Sequence, residues 1–399
     1  MTTPTPARLR RAIPATALAF LVTMMGTTIP TPLYSLYSAE LNFTPLTVTI
    51  LFAVYAVGVV GALLAFGRLS DDIGRRPVMI FALLLAAASA VIFLLPPSLP
   101  LLITARIISG LGAGLMSGTG TAAIMDLFPA DRRTLAGTIA VISNTGGLAL
   151  GTLAAGVLAD TAPTPLRTPF VAHLALCVIA IVGMWIWVPR PSRGSGARLR
   201  LNGLRVPPYL RAAFVRAVLA AGSGFAVTGV LTAVAALLLA RELHLDSHAL
   251  AGFVVFLAFA GMAAGQVIAG RLAPRVALPV GCAGLVLAAA ALAWALAAAA
   301  LEPLLGAPVI LGLAGGLCLN AALTTTVGQV PPAHRGEVSS SFFAGLYTML
   351  AVPAIGVGLL AGTVGLRPAG LIFAAAVAIL AATIGVIELL TSRGDAATV

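Results

Sequence analysis

The stretch that decides the reading is Gly67-Arg68-Leu69-Ser70-Asp71-Asp72-Ile73-Gly74-Arg75-Arg76-Pro77. It is a charged island between two apolar runs, near residues 46–66 and 77–95. Each run has the length of about 20 residues that a helix needs to cross the hydrocarbon core of a bilayer. Gly74 permits a tight turn between two helices, the arginines hold that turn at one membrane face, and Asp71 is an acid poised at a helix end.

The pattern repeats outward from this island. Apolar spans separated by Pro, Gly or charge fall near 13–36, 46–66, 77–95, 100–127, 135–159, 168–188, 212–240, 250–270, 279–300, 303–327, 338–362 and 367–391. The chain is 60% hydrophobic and only 9% charged, against roughly 25% charged in soluble domains. With a mean hydropathy of +1.08, it reads as an all-α polytopic membrane protein whose partner along its whole length is the lipid bilayer.

All 23 basic residues are arginines, so there is no lysine. A Walker A loop and a pyridoxal Schiff base each need one, and both chemistries are excluded. The net charge of +11 does not imply nucleic acid, because the arginines are dispersed over short loops with no extramembrane domain to present them. Membrane orientation explains them better. With the N-terminus inside, the inner segments hold Arg8, Arg10, Arg11, Arg68, Arg75, Arg76, Arg132, Arg133, the arginines of 190–216, Arg271, Arg275, Arg335 and Arg393. The outer loops keep Arg167, Arg241 and Arg367, so the expectation is an inner-membrane protein with both termini cytoplasmic. The apolar run after Arg11 lacks a cleavage site and reads as the first membrane helix. Cys177, Cys282 and Cys318 lie inside apolar runs, as packing residues do. No metal spacing and no cofactor motif are found.

The segment Pro189 to Leu210 is polar, Arg-rich and broken by proline. It reads as a cytoplasmic linker, 189–210, between an N-terminal bundle, 1–188, and a C-terminal bundle, 211–399. The halves also look related. Gly67-Arg68-Leu69 recurs as Gly270-Arg271-Leu272, and Gly110-Leu111-Gly112-Ala113-Gly114-Leu115 as Gly312-Leu313-Ala314-Gly315-Gly316-Leu317, at shifts of 203 and 202. A parallel repeat of two six-helix units follows.

Within the fourth span, Arg106, Ser109, Ala113 and Ser117 share one helical face, so Arg106 points inward, since a charge at that depth needs a wet cavity or a partner. The fifth span carries Asn144-Thr145-Gly146-Gly147 and continues through Gly151 and Ala155, a ridge of small residues that lets helices approach closely.

The spelling from Gly67 to Arg76 resembles the signature loop between helices 2 and 3 of the major facilitator superfamily. Arg106 to Gly114 resembles that family's helix 4 motif. Asn144 to Gly156 resembles the helix 5 signature of its exporter and antiporter branches, with Thr152 standing where that pattern has proline. The resemblance implies 12 transmembrane helices in two six-helix bundles. It also implies a conformational lock made of Gly67, Asp71, Gly74, Arg75, Arg76 and Asp126, with Asp71 facing the start of the eleventh helix and Arg75 pairing with Asp126. Helices 1, 4, 7 and 10 would line a central cavity with Met24, Thr27 and Tyr34, then Arg106, then Phe225 and Thr228, then Asn320 and Thr324, while Tyr55, Asn144 and Tyr347 join them. Such a lining suits a neutral or amphipathic organic molecule. No acid lies in the middle of a span, so Asp71 and Asp126 are the first candidates for a coupled proton, ahead of His173 and Glu40. The expected function is a monomeric, non-enzymatic secondary transporter that exports small amphipathic or drug-like compounds by alternating access with proton antiport; import or facilitated passage of a small metabolite is the alternative.

Overall fold

The computed structural model describes residues 6–66, 69–189, 206–331 and 335–397, and every regular element among them is helical. The first half holds α1 (Pro6–Thr28), α2 (Tyr34–Leu41), α3 (Pro45–Phe66), α4 (Leu69–Ile73), α5 (Arg75–Leu94), α6 (Leu99–Asp126), α7 (Arg133–Thr161) and α8 (Thr168–Trp187). The second holds α9 (Arg211–Glu242), α10 (His248–Ala269), α11 (Pro274–Ala298), α12 (Leu301–Thr326), α13 (Arg335–Val364) and α14 (Leu366–Ala397). Eleven of these helices are long and apolar enough to cross a membrane; α1, continued by the short α2, adds the twelfth crossing of two six-helix bundles. Gly67, Arg68, His334 and most of the linker, 190–205, lie outside the described residues.

The first span differs from the continuous run read at 13–36. Pro30 and Pro32 lack a backbone N–H and push the residues before them out of the helical region, so the chain breaks into turns at Ile29–Leu33 and restarts as α2. Two prolines in three positions outweigh the apolarity of the segment.

The internal repeat reappears in how helices pack. A Cβ added to Gly110 would collide with the carbonyl oxygen of Tyr55, and one on Gly114 would sit 2.7 Å from that of Val59. In the second half, a Cβ on Gly312 would meet the carbonyl of Ala258, and one on Gly316 that of Met262. These α12 and α10 positions follow the α6 and α3 positions at the same shifts of 202 and 203. The recurring glycines therefore mark the same backbone-to-backbone crossing, α3 on α6 and α10 on α12.

Two seams join the halves. Along one, Gly156 of α7 lies against His248 and Ala249 of α10, and Gly252 lies against Thr152; along the other, Gly358 of α13 lies against Leu46 and Thr49 of α3. Both sit at the membrane face opposite the first and last residues of the described chain, called here the far side. A single apolar core spans both halves there, including Tyr37, Phe93, Phe170, Leu231 and Val254. A separate core of the first half, with Phe20, Met79, Met116 and Ile124, lies toward the terminus side, and among the described hydrophobic residues of the second half Tyr347 alone packs on it. The molecule is thus closed at the far side and parted toward the terminus side.

Candidate functional site

Arg106 stands two turns into α6 and is 2% exposed. Its Nη1 donates to the carbonyl of Thr27 at 2.6 Å and its Nε to that of Leu51 at 3.2 Å, with Nη2 3.5 Å from the carbonyl of Phe52. The guanidinium lies 4.7 Å from the centroid of the Tyr55 ring and 5.8 Å from that of Phe52. No carboxylate pairs with it among the described residues. A planar fork of donors shared among carbonyls of two helices, covered by aromatic faces, is how a buried cation is held without an anion. Arg106 thereby ties α1, α3 and α6 at one point.

Beside it, the Tyr55 and Tyr347 rings meet edge to face at 6.2 Å. Phe225 of α9 meets the same Tyr347 at 6.4 Å. The structure thus gathers Arg106, Thr27, Tyr55, Phe225 and Tyr347 where α1, α3, α6, α9 and α13 converge. Tyr34 is buried on the far side of this group with no partner for its hydroxyl. Met24 and Thr228 are buried as well. Thr228 donates to the Gly224 carbonyl of its own helix at 2.8 Å, and Met24 packs under Gly147, so both face helix contacts rather than open space.

A second polar group lies across the other seam. Gln266 Nε2 donates to the Thr145 hydroxyl at 3.2 Å, joining α10 to α7, and Asn320 Nδ2 donates to the Gln266 carbonyl at 3.2 Å. The Asn144 Oδ1 next to Thr145 is buried and unpartnered. On the terminus side of this group, Gly118, Thr121 and Thr324 are exposed although they sit on the inner helices α6 and α12.

The signature loop has its own geometry. Gly74 adopts φ 94° and ψ 158°, a region essentially reserved for glycine, and this lets α4 turn sharply into α5. Arg75 donates to Asp71, to the Ser70 hydroxyl at 2.6 Å, and to Asp126 Oδ2 at 3.2 Å. Arg76 donates to the Trp185 carbonyl at 2.8 Å and lies 5.1 Å from that residue's ring, binding α5 to α8. The described bonds of Asp71 therefore stay within its own half. This differs from the expected placement of Asp71 at the start of α13, because the halves are parted on this side. At that helix start, Ser341 donates to the Glu337 carbonyl of its own turn.

Several residues of this arrangement carried no sequence signal of their own: the carbonyls of Thr27, Leu51 and Phe52, the Gln266–Thr145 contact, and a carboxylate, Asp160, that crosses the far-side seam. The Thr152 that replaces the signature's proline donates to the Ala149 carbonyl at 2.8 Å, and its own carbonyl lies against Gly252. Gln266, one of two glutamines in the chain, was the one site discoverable from rarity.

Comparison with known proteins places this geometry. The Major Facilitator Superfamily profile matches residues 16–352 and again 217–397. The chain is 27% identical over 170 residues to the multidrug transporter MdfA of Yersinia pestis, covering 42% of this chain and 40% of that protein. It is 32% identical over 139 residues to the class H tetracycline resistance protein of Pasteurella multocida, covering 33% of each. The chain thus spans two fifths or less of the length of the curated relatives it matches. Over its whole length it resembles the crystal structure of a bacterial homolog of the human lysosomal transporter Spinster in an inward-facing, occupied conformation, with a TM-score of 0.72, 16% identity and 98% of both chains covered. The chain belongs to the Major Facilitator Superfamily, with the many apolar helices of a multi-pass membrane protein.

Proposed function

We propose that the chain exports small neutral or amphipathic compounds across the inner membrane by alternating access, in exchange for protons, with both termini cytoplasmic and the monomer as the working unit. One observation carries the reading: a far-side closure over an opening on the terminus side, with aromatic, hydroxyl and amide groups and a single buried charge, Arg106, where the two halves meet. With the termini in the cytoplasm, this is the state that loads a substrate from inside. Aromatic faces and scattered hydrogen-bonding groups accept varied organic molecules. The relatives named for multidrug transport and tetracycline resistance support the same direction. The units would be residues 1–188 and 211–399, joined by the linker 189–210. Asp71 and Asp126, both on the arginine of the signature loop, are the groups to which we assign proton exchange.

Import or facilitated passage of a metabolite is the second reading, favoured by Thr152 in place of the exporter signature's proline and by the lack of a mid-span acid in the sequence. Efflux of a panel of neutral and cationic fluorescent compounds separates the two, measured from cells that produce the wild type or Arg106→Ala at matched membrane levels, with and without a protonophore. Uncoupler-sensitive export lost in the variant is expected. Export of no compound, with uptake of a metabolite instead, would favour the second reading.

A further inference from the structure

The two far-side seams are repeat equivalents: Gly156 on α7 faces the start of α10, and Gly358 on α13 faces the start of α3. Only the first carries an acid. Asp160, one turn beyond Gly156, accepts from the His248 N–H at 3.0 Å and from the Ala249 N–H at 2.8 Å. The Ser247 hydroxyl donates to its other side at 2.9 Å, and His248 Nδ1 lies 2.7 Å from Oδ1. Ser247 also caps the Leu250 N–H of the same helix at 3.1 Å. The counterpart of Asp160, 202 positions on, is Gly362, exposed and with nothing near its Cβ position.

We propose that Asp160 is the far-side gate residue of this transporter, a carboxylate of one bundle seated on the helix N-terminus of the other. The first-turn N–H groups of a helix have no intrahelical partner, and its dipole favours an anion there. Asp160 supplies that anion from across the seam, through charge-assisted bonds that must all break before α7 can part from α10. The superfamily resemblance assigns the same device to Asp71 and the start of α13 on the opposite face. In this structure the Asp160 clasp is made, and the described bonds of Asp71 stay within its own half. The two carboxylates therefore stabilise opposite ends of one equilibrium, each closing the face on which it sits. This inference rests on the alternating-access reading above.

The test uses the full chain with a reporter cysteine in the other seam, so that local fraying at α10 does not count as opening. Thr49→Cys, a position buried against Gly358, is placed in a chain whose native cysteines are changed to alanine, and its alkylation rate by an impermeant maleimide is measured. Adding Asp160→Asn keeps the side chain's shape and removes its charge. It is expected to raise the rate roughly fivefold or more, within the usual range of conformational coupling; His248→Gln, which keeps both backbone donors, should raise it less. Asp71→Asn should lower it. A rate unchanged by Asp160→Asn but lowered by Asp71→Asn overturns the gate role and leaves alternation standing. No response to either variant overturns both. A parallel chain retaining only Cys177, buried within one bundle, must show no rise with Asp160→Asn, since a rise there would mean unfolding and would also overturn the proposal.

Discussion

Arg106 shows how far one side chain organises a membrane protein. Its donors serve carbonyls of two neighbouring helices; the Leu51 and Phe52 carbonyls keep their own helical partners within α3, so its loss removes the ties between helices, at about 1.5–3 kcal/mol for each bond made by the charged group. Arg106→Lys should not rescue it, because a lysine ammonium is a compact point donor without the planar fork. We expect export by Arg106→Lys to fall about tenfold or more, read from initial efflux rates at matched expression. Tyr55→Phe removes the hydroxyl beside the seam but keeps the ring over Arg106 and against Tyr347. It should preserve folding, seen as an unchanged unfolding temperature in detergent, while weakening the contact between the halves. The residue itself was legible in the sequence because a charge inside an apolar run is conspicuous. Its partners were not, since a backbone carbonyl is offered by every residue type.

At the scale of elements, the recurring glycines Gly110 and Gly114 of α6 and Gly312 and Gly316 of α12 are close-approach positions. Gly110→Ala and Gly312→Ala each push a methyl into the carbonyl of a neighbouring helix, and we expect each to cost about 1–3 kcal/mol by overpacking. Gly118→Ala is the control. Nothing lies within 4 Å of its Cβ position, so the change should be neutral or stabilise by up to about 1 kcal/mol through helix propensity. Thermal unfolding in detergent reads all three. Gly74→Ala should cost about 1–3 kcal/mol, since the backbone there occupies a region that a Cβ disfavours. These crossings were legible because the same glycine spacing recurs half a chain apart, which identifies equivalent contacts before any coordinates exist. The break in the first span was less so: the apolar run reads as continuous, while Pro30 and Pro32 interrupt the helix.

For the whole molecule, the sequence carries the architecture but not the state. One chain must serve both faces of an alternating cycle, so nothing in the order of residues says which face is closed. The spacing of Asp160 places it at a helix end, but its acceptor role depends on a helix start from the other half. Charge also bears on substrate choice at this scale. The gathered aromatic and amide groups offer hydrogen bonds and ring faces, and the one buried charge among them is positive. Neutral amphipathic compounds should therefore be exported in preference to permanent cations of similar size, read as the ratio of their efflux rates in one strain. The most direct test of the central claim is uptake of a neutral fluorescent compound into inside-out membrane vesicles bearing this chain and acidified within by respiration. The account predicts accumulation that collapses with a protonophore and is absent with Arg106→Ala. Accumulation only in right-side-out vesicles, or none that depends on the chain, would contradict it.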